Sequence, residues 1–166
     1  MSSSDVTTPK ATRPEVPHLA VICATQLLAL AGLGIAIYLT IAHYVGTEVL
    51  ACAANSVVNC EIVTTSAQSH FLGMPVSVLG LAYFVVAVPL YSPWAWWSRF
   101  KWLHIVRLVS AIGGMCFVLW LLTAELVIIH KICLWCTGVH IVTFLLFALT
   151  VTSAPAVLGR DDLVTH

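Results

Sequence analysis

The sequence predicts an all-α integral membrane protein, a bundle of four transmembrane helices. Hydrophobic residues make up 60% of the 166 residues and charged residues 8%, where a soluble domain carries about 25% charged. Mean hydropathy is +1.00. Apolar stretches recur at the length of ~20 residues that an α-helix needs to cross a ~30 Å hydrocarbon core. Only helices or closed barrels satisfy their backbone in lipid, and these stretches are too long and too uniformly apolar for barrel strands. The formal net charge is +0, which points away from nucleic acid or an acidic substrate as partner.

Residues 1–18, MSSSDVTTPKATRPEVPH, are polar and hold three prolines. They read as a flexible cytoplasmic tail without the apolar stretch of a cleavable leader. A membrane domain follows over 19–154, with spans at about 19–43, 71–91, 108–130 and 132–154, and a loop at 44–70 between the first two. Pro75 sits near the start of the second span, where proline is tolerated, and Ser92-Pro93 ends it. Glu125 is the one charged residue of the third span and is expected at the interface. Residues 155–166 read as a second cytoplasmic tail.

Basic residues set the orientation. Lys10, Arg13, Arg99, Lys101, Arg107 and Arg160 fall on one side and Lys131 alone on the other, six against one. Both termini are therefore expected in the cytoplasm of a multi-pass cell-membrane protein, with the 44–70 loop and the turn between spans three and four outside. Trp94, Trp96, Trp97 and Trp102 then form an aromatic belt at the cytoplasmic interface.

The six cysteines sort by position. Cys23 and Cys116 fall inside spans and are expected to act as small buried apolar residues. Cys52 and Cys60 lie in the outer loop, and Cys133 and Cys136, in CLWC, open the fourth span on the same oxidising side. Spaced i and i+3, Cys133 and Cys136 share a helix face. In a first turn, free N–H groups and the macrodipole favour the thiolate, and Lys131 adds a positive charge. Such a pair suits exchange, since a bridge this short closes almost no loop. A Cys52–Cys60 bridge would contribute roughly 2–3 kcal/mol as a staple. On the same face as an exchange-competent CxxC it also reads as the second half of a thiol relay. The two-electron acceptor that a bilayer offers is a lipid-soluble quinone. His140, four residues beyond Cys136, with Thr143 and Phe147 on the same side, can hydrogen-bond a quinone carbonyl or bond a neighbouring helix instead.

Cys52-x7-Cys60, the segment SHFLGMPVSVLGLAYF (69–84) and CLWC (133–136) together resemble the vitamin K epoxide reductase family, in particular its bacterial, DsbB-like, quinone-coupled thiol oxidases. The resemblance covers about residues 19–152. It implies that the first loop caps the active site of the bundle. It implies that Cys52 takes electrons from a partner's CxxC, that Cys60 exchanges with Cys133, and that Cys136 faces a quinone of menaquinone or ubiquinone type. The quinone or its epoxide would be the electron acceptor. Ser66 falls where the family places a polar residue near the quinone head group, with Thr64, Thr65 and Ser69 as alternatives. A tyrosine of vertebrate relatives is replaced by His140. Residues 155–166 are too few for the thioredoxin-like domain fused to some members, so a separate DsbA-like protein with a thioredoxin fold is the expected partner, and no metal is expected. The competing readings are a non-enzymatic tetraspan protein with a stapled outer loop, a four-cysteine metal site and an unrelated DsbB-type oxidase. The spacing of the loop pair is long for zinc.

Overall fold

A computed structural model describes residues 19–52, 55–98 and 100–158. The tail calls for 1–18 and for most of 155–166, with Lys10, Arg13 and Arg160, lie outside the described residues, as does Arg99. Six helices, α1 (Leu19–Val45), α2 (Cys60–Thr65), α3 (Val76–Leu90), α4 (Pro93–Trp97), α5 (Lys101–Thr123, continued by a wider π-helical turn over Ala124–Ile129) and α6 (Leu134–Leu158), carry the fold. A two-stranded antiparallel hairpin, β1 (His70–Phe71) and β2 (Met74–Pro75), precedes α3. The chain is an all-α membrane protein: three helices, within Leu19–Val45, Lys101–Ile129 and Leu134–Pro155, are long and apolar enough to cross a bilayer. Large apolar side chains such as Leu27, Val86 and Phe144 stand exposed around the bundle, as a lipid solvent allows.

The second span differs from the reading of 71–91. Its helix, α3, has 15 residues, a rise of about 22 Å. Residues 70–75 turn back on themselves instead. Leu72 and Gly73 both take positive φ, 51° and 82°, as the two-residue turn of a tight hairpin requires. Pro75, without an N–H to donate, becomes the cap of α3.

Packing follows the small residues of α1. Ile22, Thr25, Ala29, Gly32, Ala36, Leu39 and Ala42 are its buried residues, spaced three and four apart so that they form one stripe. The stripe brings α3 and α6 against α1, while α5 packs on α6 and touches α3 only sparingly. Without a hydrophobic drive between helices in lipid, close backbone approach of this kind supplies the packing energy. Gly32 is the tightest point, because a Cβ there would overlap the ring of Phe84. Cys23 and Cys116 are not core residues, as expected from sequence, but exposed on the outer surface of the bundle; in lipid that costs a small apolar side chain nothing.

The end of the bundle away from Cys133 and Cys136 is held by one buried cation. Arg107 is buried within α5 rather than standing in a connecting loop. Its Nε and Nη2 donate to the Leu90 carbonyl at 3.0 and 2.8 Å, and its Cζ lies 3.8 Å from the Trp96 ring centroid. The arrangement satisfies both the charge and a carbonyl left open at the end of α3. Trp96 is thereby removed from the expected belt: it is buried and donates to Thr25 Oγ1 at 3.2 Å. Trp94, Trp97 and Trp102 are exposed.

Gly32→Ala should lower the thermal midpoint in detergent by an amount equivalent to about 1–3 kcal/mol of overpacking. Gly34→Ala, whose added Cβ meets nothing within 4 Å, should leave it unchanged; equal midpoints for the two variants would contradict the stripe.

Candidate functional site

The loop and the start of α6 are joined through their backbones. Ile132 N–H donates to the Val57 carbonyl at 3.0 Å, and Asn59 N–H donates to the Ile132 carbonyl at 3.1 Å. Lys131 Nζ donates to the Ser56 carbonyl at 2.6 Å, so this cation serves the lacing of the loop. Asn55 Oδ1 accepts from the N–H groups of Val57 and Val58, and Asn59 Oδ1 accepts from Ile62 N–H to cap α2. The next residues along the two laced segments are Cys60 and Cys133. Both are buried, at 2% and 0% exposure, in one apolar cluster with Leu39, Ala42, Leu50 and Val63.

The other end of the loop is clamped by an aromatic pair. Tyr38 of α1 and Trp135 of α6 meet edge to face at 4.7 Å. Tyr38 Oη donates to the Val49 carbonyl at 2.6 Å and accepts from Ala51 N–H at 2.9 Å. Trp135 Nε1 donates to the Ala51 carbonyl at 3.2 Å. Cys52 follows directly, half-buried, and is disulfide-bonded to Cys60. Cys133 and Cys136 are free thiols.

Cys133 precedes the first residue of α6 and acts as its N-cap. Its Sγ accepts from Cys136 N–H at 3.2 Å and its carbonyl accepts from Thr137 N–H at 2.9 Å. The cap satisfies a backbone donor that the helix start leaves open. The Cys136 thiol also donates to Cys133, and with the backbone N–H groups of Cys136 and Trp135 it holds the Cys133 thiol below the usual cysteine range, against the opposing effect of burial.

Below this pair lies an apolar cavity of about 430 Å³ bounded by α1, α3, α5 and α6. Cys136, His140 and Thr143 line it from α6, as do Ser66, Ser69 and Thr64 of the loop. Phe147, expected on the same side, does not reach it. Ser66 spends its hydroxyl on the Val63 carbonyl, 2.8 Å away. Among the described residues, four buried polar side-chain atoms lack a partner, and three of them, His140 Nδ1, Ser77 Oγ and Tyr83 Oη, belong to residues that line the cavity; Gln26 Oε1 does not. Glu125 also lines it and is 4% exposed, not interfacial as its position near a span end suggests. Sequence reasoning passed over Ser77 and Tyr83, although each is a polar group inside an apolar helix. Tyr38 and Trp135 carried no signal, because aromatic residues at a membrane edge are ordinary anchors.

The family model described as the vitamin K epoxide reductase family matches residues 23–151. A search of curated proteins finds no match.

The cap predicts a titration. With Cys52–Cys60 oxidised and Cys133–Cys136 reduced, ultraviolet absorbance should show one thiolate forming at a pH below the ordinary cysteine value of about 8.5. Cys133→Ser should abolish that step. Cys136→Ala removes a donor to the Cys133 sulfur and should move the step to higher pH.

Proposed function

This chain belongs to the vitamin K epoxide reductase family, and we propose that within it the protein oxidises a separate DsbA-like partner and delivers the electrons to a membrane quinone. That it is a membrane redox enzyme acting on thiols and quinones follows from the family. The partner and the electron route are inferred from the site. The observation that carries the route is the backbone lacing, which sets a buried loop disulfide cysteine beside a buried N-cap cysteine whose own partner lines an apolar cavity.

The burial order suggests the order of reaction. Cys52 is the more exposed sulfur of the loop disulfide, so a partner thiolate attacks it; the Cys52–Cys60 bond breaks and a mixed disulfide forms. The partner's second cysteine resolves that bond and leaves Cys52 and Cys60 as thiols. Cys60 then attacks Cys133 of an oxidised Cys133–Cys136 pair and releases Cys136. Attack by Cys52 on Cys60 restores the loop disulfide and frees Cys133. Two electrons have moved inward, and the reduced pair stands at the cavity wall.

The cavity residues fit a quinone. The volume falls in the range of small-molecule sites, which run from about 300 to 1,000 Å³. The walls are apolar, and Tyr83, Ser77 and His140 offer unpaired polar atoms to ring carbonyls. When bound, a quinone of menaquinone or ubiquinone type supplies a two-electron, two-proton acceptor that stays in the bilayer. With Ser66 bonded to Val63, Tyr83 and Ser77 are the better candidates for the head group. A four-cysteine metal site fits poorly, because Cys52 and Cys60 are bonded to each other and thiolates are the zinc ligands. The cysteine end of the bundle is assigned to the extracytoplasmic side of the cell membrane, where a disulfide persists.

In Cys136→Ala, no Cys133–Cys136 disulfide can form, so the loop has no inner disulfide to reduce and quinone reduction by a reduced DsbA-like donor should fall to background. With Cys52→Ala added, neither thiol that resolves a Cys60–Cys133 disulfide remains, and that disulfide should accumulate on oxidation, visible by peptide mapping. Normal turnover in Cys136→Ala would exclude Cys136 from the route. Tyr83→Phe and Ser77→Ala should each raise the quinone KM about two- to tenfold, the worth of one hydrogen bond, with partner oxidation unaffected at saturating quinone.

A further inference from the structure

We propose that Glu125 is the proton carrier between the Cys133–Cys136 pair and the electron acceptor in the cavity, an inference that rests on the thiol–quinone reading above. Glu125 is the one buried carboxyl among the described residues; Glu48 and Glu61 are exposed. Its carboxyl interacts with the Cys136 thiol and the Cys133 backbone N–H. The same side chain lines the cavity with Cys136 and His140. It therefore stands at one cavity wall with both the thiol that must lose a proton and the space that must receive one.

The helix is distorted where Glu125 stands. Over Ala124–Ile129, α5 widens to a π-helical turn, and the N–H groups of His130 and Lys131 both donate to the Glu125 carbonyl. Turns of this kind inside α-helices gather at functional sites. The titratable groups that share the cavity wall are His43 from α1, Tyr83 from α3, and Cys136 and His140 from α6. No Lys or Arg is among the described lining residues, and the Lys131 ammonium is engaged by the Ser56 carbonyl. A carboxyl buried beside only an N–H and the Cys136 thiol is costly to keep. Exchange of a proton with that thiol explains its presence.

The step balances. Two S–H bonds break and one Cys133–Cys136 S–S bond forms; the electron pair and two protons pass to the quinone, which becomes the quinol. Glu125 takes a proton from Cys136 as its S–H bond breaks, forms a carboxyl O–H, and releases that proton to the reduced acceptor. It repeats the transfer for the second thiol and ends unchanged.

The test is the alkylation of Cys136 by N-ethylmaleimide in vesicles, which needs no quinone. The protein is prepared with Cys52–Cys60 oxidised, and modification of Cys136 is read against pH by mass spectrometry. With the carboxylate as proton acceptor, the rate should level off near neutral pH. In Glu125→Gln it should drop about tenfold or more at neutral pH and climb steadily with pH; Glu125→Asp should retain the plateau at a lower rate. Quinone reduction by Glu125→Gln should fall about a hundredfold, with Cys60–Cys133 exchange retained. A wild-type alkylation rate that climbs with pH like that of an ordinary thiol overturns the proposal, whether or not the variants fold. So does a Glu125→Gln profile that matches wild type. Failure of the wild type to reduce any quinone, with the alkylation plateau present, overturns the functional reading instead.

Discussion

Two backbone hydrogen bonds to one residue, Ile132, organise this protein's chemistry. They join the loop at Val57 and Asn59 to the residue before Cys133. A long loop otherwise samples many positions, and closing it costs entropy that grows with its length. The lacing removes that freedom at one end, and the Tyr38–Trp135 clamp on Ala51 removes it at the other. The disulfide sulfurs are then held between two fixed points. The nearness of Cys60 and Cys133 is a matter of register, because each is the next residue along its laced segment.

The second constraint is the lipid. A bilayer leaves the outer faces of the helices apolar, so amphipathicity cannot say which face is inward. The inward faces are marked instead by residue size and by polarity without a partner. Small residues mark the side of α1 that packs. Unpaired polar atoms of α3 and α6 mark the cavity. α3 and α5 hardly touch, so the space between them stays open, and the cavity lies there. Arg107 closes the far end of the bundle with a buried cation satisfied by a carbonyl and an indole face. The two ends thus divide the work, one rigid and one reactive.

Much of this was legible in the residues. Length and hydropathy identify α1, α5 and α6, and the grouping of Cys52, Cys60, Cys133 and Cys136 at one end follows from their places between those helices. The hairpin at 70–75 was not legible, because HFLGMP is apolar enough to read as the start of a helix, and the signal lay in a Leu-Gly pair taking positive φ. Trp96 and Arg107 were misplaced for a shared reason. Each type usually marks an interface or a loop, and only the three-dimensional pairing of the two lets them bury together. Glu125 was read from its position near a span end, which does not reveal which way the side chain points. It stands in the π-helical turn, and no residue type announces such a turn.

The position of Cys133 shows why an N-cap suits a relay better than the first turn itself. A thiol inside the first turn faces the helix dipole only from the side. At the cap, its sulfur accepts a backbone N–H directly, so the charged form is stabilised by a donor that the helix must satisfy in any case. The same geometry places Cys136 three residues on, at the wall of the cavity that Glu125 also lines. The Cys136 thiol and the helix end together favour the charged form of the Cys133 sulfur, while Cys136 itself stands at the wall of an apolar cavity. Two chemically identical side chains three residues apart thus meet different surroundings, one at the helix cap and the other at the cavity wall. The proposed relay draws on that difference, because in it one sulfur meets the loop and the other releases a proton toward the cavity.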